Sequence, residues 1–213
     1  AGDFAINGVI SGGTDDGTYA LLKAGAGTVT LANEANTYAG FTYVAEGVLE
    51  VTKLADQGQL SSLGQASTTA GNVVNFSFRD GGTLRFIGST ASTSDRTFVL
   101  GGGGNENIIE ASGTAPAATL TLTGDTSGAG VFTLGGTNQG ANTFAGTIGS
   151  TSSLVKDGPG TWVLSGENTY SGDTQVNGGT LLASNTAGSG TGSGAVAVAA
   201  GAALGGTGSI DGG

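Results

Sequence analysis

The chain has 213 residues, 44 of them Gly and only 2 Pro, and carries a net charge of −10 with no His and no Cys. These totals exclude disulfides, thiolate or imidazole metal sites, and Ser-His-Asp or Cys-His catalysis. They argue against nucleic acid or an anionic membrane surface as a partner, because both attract basic stripes.

Apolar and polar residues alternate with period two along nearly the whole chain, the pattern of half-buried strands. In chain order, short strands are expected near 28–31 (TVTL), 42–44, 48–51, 75–78 (NFSF), 83–86 (TLRF), 119–123 (TLTLT), 131–134 (VFTL), 162–164, 180–182 and 195–198 (AVAV). Gly, Asn, Asp or Ser flank each of them. Residues 53–64 (KLADQGQLSSLG) are the best candidate for a single helical turn, with Gly58 interrupting it. No apolar run is long enough to cross a bilayer as a helix, so the chain is not expected to be membrane-embedded. No export leader is visible at Ala1, as is also true of mature or excised chains.

One stretch is written twice. Residues 21–49 (LLKAGAGTVTLANEANTYAGFTYVAEGVL) align with 154–181 (LVKDGPGTWVLSGENTYSGDTQVNGGTL) after one extra residue in the first copy. Lys23, Gly25, Gly27, Thr28 and Leu31 pair with Lys156, Gly158, Gly160, Thr161 and Leu164. Asn36-Thr37-Tyr38 pairs with Asn168-Thr169-Tyr170, and Gly40, Thr42, Val44, Gly47 and Leu49 pair with Gly172, Thr174, Val176, Gly179 and Leu181. Self-similarity of this length indicates stacked units. Three short strands per 20–25 residues is the pitch of one coil of a three-sided parallel β-helix, whereas a propeller blade needs about 40 residues. A sandwich is the second choice, since Asn7-Gly8, Asp80-Gly81, Asp157-Gly158, Asn177-Gly178 and Asp211-Gly212 could turn hairpins. In a solenoid, apolar side chains stack inward on neighbours about 4.8 Å along the axis. Asn36 and Asn168 then sit at corners, either bonding along the stack or acting as lone turn residues.

The doubled unit resembles the autotransporter-associated β-strand repeat of bacterial passenger domains, of form L-x-K-x-G-x-G-T-x-x-L followed by N-T-Y-x-G-x-T-x-V-x-x-G-x-L. Asp95 to Gly102 and Gly194 to Val198, running on to Leu204–Ile210, are similar to flanking text of that family. The resemblance implies an all-β, right-handed parallel β-helix that is exported and lies outside the cell or on the bacterial outer surface. The chain is therefore expected to be a single solenoid over 1–213, with repeat copies at 21–49 and 154–181 and looser coils at 1–20, 50–153 and 182–213. The separation of Lys23 and Lys156 by 133 residues suggests a longer period of several coils.

Asp15-Asp16 reads as a solvated loop, because neighbouring strand residues face opposite ways. Asp80, Arg79 and Arg85 are the nearest approach to a lyase groove and read as surface ion pairs. Gly101–Ile108 has a faint likeness to a calcium nonapeptide, but a single copy with Glu106 in place of Asp reads as a corner. Trp162, Tyr38, Tyr43 and Tyr170 could stack sugars or pack at corners. The Thr28-Thr30 and Thr119-Thr121-Thr123 rows fit an ice-binding array only locally. No catalytic, cofactor or metal residue is assigned. The expected function is a non-enzymatic structural or adhesive stem, with head-to-tail self-association and surface or glycan contact as its partners. The alternative is a β-helix that binds or degrades polysaccharide.

Overall fold

A computed structural model describes residues 2–14, 18–66, 68, 75–79, 81–102, 106–149 and 153–211. Its strands, in chain order, begin with β1 (Phe4–Ile6), β2 (Tyr19–Lys23), β3 (Thr28–Leu31), β4 (Phe41–Val44), β5 (Val48–Val51) and β6 (Phe76–Phe78). Next come β7 (Thr83–Phe86), β8 (Ser92–Ser94), β9 (Phe98–Leu100), β10 (Glu106–Ala111), β11 (Leu120–Leu122) and β12 (Thr126–Gly128). The last are β13 (Val131–Gly135), β14 (Asn142–Phe144), β15 (Ser153–Lys156), β16 (Thr161–Leu164), β17 (Thr174–Val176), β18 (Thr180–Ala183), β19 (Val196–Val198) and β20 (Ala203–Gly206).

These strands form three sheets, and all pairings between them are parallel. The first sheet runs β1-β3-β5-β7-β10-β13-β15-β17-β19, the second β8-β11-β14-β16-β18-β20, and the third β2-β4-β6-β9-β12. Strands adjacent in one sheet are never consecutive in sequence, so the chain visits another sheet before returning. That is a parallel β-solenoid, and the hairpin sandwich is ruled out. Nine strands in the first sheet correspond to a rod of about 40 Å at strand spacing.

Coil length follows from the first-sheet partners. Thr28 pairs with Val48, Leu154 with Thr174, Glu106 with Val131 and Thr174 with Val196, which are advances of 20, 20, 25 and 22 residues. One coil is longer: Val48 pairs with Thr83, an advance of 35. The extra chain includes 53–64, which folds as a turn-rich loop with no helix. The middle coils use all three sheets: β7-β8-β9, then β10-β11-β12. Earlier coils place regular strands only on the first and third sheets, and later ones only on the first and second.

The core is a set of inward columns. One runs Val29, Leu49, Leu84, Ile109, Leu134, Lys156, Val176 along the first sheet. Phe76, Phe78, Phe98, Phe132 and Phe144 fill the interior in the middle of the stack, with Phe98 and Phe144 ring centroids 6.5 Å apart. Each buried aromatic contributes a large apolar area, which is how a chain so rich in Gly still builds a core.

Candidate functional site

The repeated residues have one role in both copies. Lys23 is buried at a coil corner and its Nζ donates to the carbonyl oxygens of Ala24 (3.4 Å), Gly25 (2.5 Å) and Glu46 (2.8 Å). Lys156 does the same with Asp157 (2.8 Å), Gly158 (2.8 Å) and Gly178 (3.0 Å). The first two carbonyls belong to the lysine's own corner and the third to the next coil. An ammonium has three donors, and this geometry uses all of them to tie two coils. The aliphatic stem meanwhile occupies an inward column. Burial lowers the pKa of both lysines, Lys156 to about 8. Gly47 and Gly179 follow from the clamp. Both have positive φ (71° and 62°), and a Cβ on Gly47 would lie 2.7 Å from Lys23 Nζ.

Asn36 and Asn168 bond along the stack. Asn36 Oδ1 accepts from Ile10 N (2.8 Å), one coil back, and its Nδ2 donates to Ser62 O (2.9 Å), one coil on. Asn168 links Ile148 N (2.8 Å) to Gly190 O (2.7 Å) in the same way. Asn142, outside the doubled text, repeats the device between Leu120 N and Thr161 O. Tyr38 and Tyr170 are buried beside these residues, and their hydroxyls bond Thr42 Oγ1 (2.9 Å) and Thr174 Oγ1 (2.6 Å). The Asn-Thr-Tyr segment thus closes the side of the coil that has no regular strand. Replacing Asn168 by Ala leaves the Ile148 N–H and Gly190 carbonyl unpaired inside the stack, at an expected cost of about 2 kcal/mol in urea unfolding. Asp at this position should rescue little, because a carboxylate cannot donate to Gly190.

The two copies lie on different sides of the solenoid. In the first, the Leu-x-Lys strand is β2 in the third sheet and the following strand, β3, is in the first. In the second, the Leu-x-Lys strand is β15 in the first sheet and the following strand, β16, is in the second. The 133 residues from Lys23 to Lys156 are therefore five coils plus one side, not a whole number of coils. The unit is a portable corner that works at either junction.

Other positions singled out in the sequence resolve differently. Asp15, Asp16 and Asp80, and Gly103–Asn105 of the calcium-like stretch, lie outside the described residues. Within the described part of that stretch, Asn107 exchanges bonds with Gly101 and donates to Val131 O (3.0 Å), a corner role. Arg85 bridges Glu50 (3.1 Å) and Glu110 across three coils of the first sheet. It lines a shallow groove of about 430 Å³ with Ser112, Thr137 and Pro159. The one carboxylate that lines the groove, Glu110, is engaged by the guanidinium. This partly exposed ladder is worth under about 1 kcal/mol per pair. The threonine row Thr93-Thr121-Thr143 ends at Val163, so it is only three coils long. Trp162 is buried, donating to Gly135 O (2.9 Å). Of the four aromatics proposed as a stacking face, only Tyr43 looks outward.

No local sequence pattern marks Arg96. It is buried at a corner and reaches back into the long coil. Nε donates to Ala55 O (3.1 Å), Nη1 to Leu63 O (3.0 Å), and Nη2 to Gly64 O (2.6 Å) and Ser61 Oγ (3.2 Å). Asp95 Oδ1 accepts from Gln57 N (2.7 Å) beside it. The Asp95-Arg96 pair is the latch of the 53–64 loop.

Three parallel sheets, inward columns and cation-clamped corners define a repeat-built β-solenoid. The model of the passenger-associated-transport-repeat family matches residues 21–51 and 154–183, the two clamped corners. The adhesin BmaC autotransporter of Brucella suis biovar 1 (strain 1330) is 39% identical over 175 residues, which is 82% of this chain and 4% of that protein. The chain thus carries two passenger-associated-transport repeats and is similar over most of its length to part of an autotransporter adhesin. It spans a small part of the relative's length, and no solved structure matches it.

Proposed function

We propose that this chain is a non-enzymatic, adhesive stem segment displayed outside a bacterial cell. The observation that carries the reading is that the repeated Lys and Asn side chains join successive coils while the repeated Tyr hydroxyls brace the coil they belong to. Lys23, Lys156, Asn36, Asn168, Tyr38 and Tyr170 each hold backbone or a neighbouring hydroxyl inside the stack. Such a unit builds a stiff spacer, and the likeness to an adhesin supplies the adhesive part. Export, and a place on or beyond the outer surface, come with the same likeness.

Cell attachment tests the reading. Surfaces coated with the purified chain should retain cultured cells of at least one type in a dose-dependent, saturable way, and retention no better than on albumin across the types tried would overturn adhesion. Head-to-tail self-association is the finer part of the proposal. It rests on the parallel edge-to-edge pairing that joins coil to coil, the same contact by which one solenoid could extend another. Sedimentation that stays monomeric up to about 100 μM, well above a micromolar Kd, would remove that part and leave the stem.

A further inference from the structure

We infer that the outer face of the third sheet, at Tyr19, Leu22, Phe41 and Tyr43, is a binding shelf for the ring face of a neutral pyranose in a surface glycan. The inference deepens the adhesive reading and rests on it for its biological setting, although the shelf itself is argued from geometry.

Every aromatic residue of the chain is in the core except Phe4, Tyr19, Phe41 and Tyr43. Phe4 points along an inward column at the outermost strand, where no described coil covers it. The other three stand together on the outside. The second copy of the repeat provides an internal control: where the first has Phe41 and Tyr43, it has Asp173 and Gln175, both exposed, between the same inward Thr and Val. Coil building therefore does not require aromatics there. The backbone also departs from regularity at this point. With Leu21 and Lys23 inward, simple alternation would turn Tyr19 inward too. A register shift between Tyr19 and Leu21 brings Tyr19 opposite Phe41 instead, and it is 57% exposed. Bulges commonly re-aim a side chain in this way.

The shape suits a small, flat ligand. Tyr19 and Tyr43 rings are inclined by 28° with centroids 6.4 Å apart, and Phe41 stands edge-on to Tyr19 at 6.1 Å. They border a shallow groove of about 280 Å³ with Ser77 and Arg79. A stable protein interface takes about 20–30 residues a side, far more than this patch offers, whereas ligand sites begin near 300 Å³. Another coil would not cover it, because coils pair along strand edges and leave the outer face open. The electron-rich ring faces attract the polarised C–H groups of a sugar ring, and the phenol, Ser77 and Arg79 groups at the rim meet its hydroxyls. Arg79 Nη1 donates to Tyr43 Oη at 3.3 Å, which orients that phenol. The net charge of −10 disfavours anionic glycans and points to neutral ones.

The test is binding of the whole chain to immobilised tri- to hexasaccharides of glucose, galactose, mannose and N-acetylhexosamines, with sialylated and sulfated sets alongside. Saturable binding to at least one neutral oligosaccharide is expected. It should fall about tenfold or more in Phe41→Asp/Tyr43→Gln, which installs the residues of the second copy, and stay unchanged in Gln175→Ala. Tyr19→Thr should give the same loss should the double variant fail to fold, as judged by its unfolding midpoint. The inference is overturned by no neutral binding, by binding restricted to the anionic sets, or by variants that bind as well as the parent. Loss of parental self-association in the double variant would also overturn it, by making the shelf a protein contact. Cells that still attach to the double variant sink the shelf alone, whereas cells that ignore the parent while sugars bind sink the adhesive reading alone.

Discussion

Lys156→Met should destabilise the solenoid by about 2–3 kcal/mol, read as a lowered urea midpoint at pH 7 with an unchanged slope. Methionine keeps most of the apolar stem in the column between Leu134 and Val176. What it loses is the ammonium that joins Asp157, Gly158 and Gly178, leaving three carbonyls without their donor. A buried charge also carries a desolvation cost, which keeps the expected loss below that of three independent bonds. The pH dependence has a definite sign. Burial, opposed by nearby Asp157, lowers the folded pKa from 10.5 to about 8. Between those values the unfolded chain holds the proton that the folded chain has released, so this group's contribution rises with pH from about 8 to 10.5. The advantage of the parent over Lys156→Met should therefore be smaller at pH 7 than at pH 10. An advantage that shrinks with rising pH would contradict the lowered pKa, showing that the three carbonyl acceptors hold the proton more strongly than burial expels it.

Arg96→Met should cost about 3 kcal/mol or more, because four acceptors lose their donor at once and the 53–64 loop comes free. Burial lowers this guanidinium to about 10, with Tyr38, Asp95 and Asp56 raising it, so it remains charged at neutral pH. Arg96→Lys should recover little, since a point charge on a flexible stem does not reproduce a planar fork spread over Ala55, Ser61, Leu63 and Gly64. The local signature is faster amide exchange over 53–65 in the variant than in the parent. Uniform exchange changes along the whole chain would argue against a latch.

The parallel solenoid was legible because period-two text, Gly at corners and a doubled unit all agree on it. The clamps were half legible: Lys, Gly and Asn-Thr-Tyr recur in register, which marks them as architectural without showing what they hold. Three things were hidden for physical reasons. The quarter-hundred-residue rhythm fails at Val48–Thr83, so counting residues could not show that the copies differ by one side of the solenoid. Arg96 reaches acceptors 32 to 41 positions away, and no local pattern encodes such a reach. The outward aromatics were obscured by the bulge at Tyr19, since regular alternation assigns that residue to the core. Of the four aromatics first considered as a stacking face, Trp162, Tyr38 and Tyr170 are buried, and Tyr43 acquires Tyr19 and Phe41 as neighbours instead.

The parallel winding on which all of this depends can be tested by paired cysteines in β16 and β18 under a mild oxidant, since a direct disulfide needs Cα atoms within about 7 Å and the diagonal pairs lie farther apart. Parallel register places Thr161 beside Thr180 and Val163 beside Leu182. Both of those pairs should cross-link rapidly, while Thr161 with Leu182 and Val163 with Thr180 should not. An antiparallel hairpin reverses the pattern, so efficient linking of 161–182 and 163–180 in place of the first two pairs would contradict the solenoid.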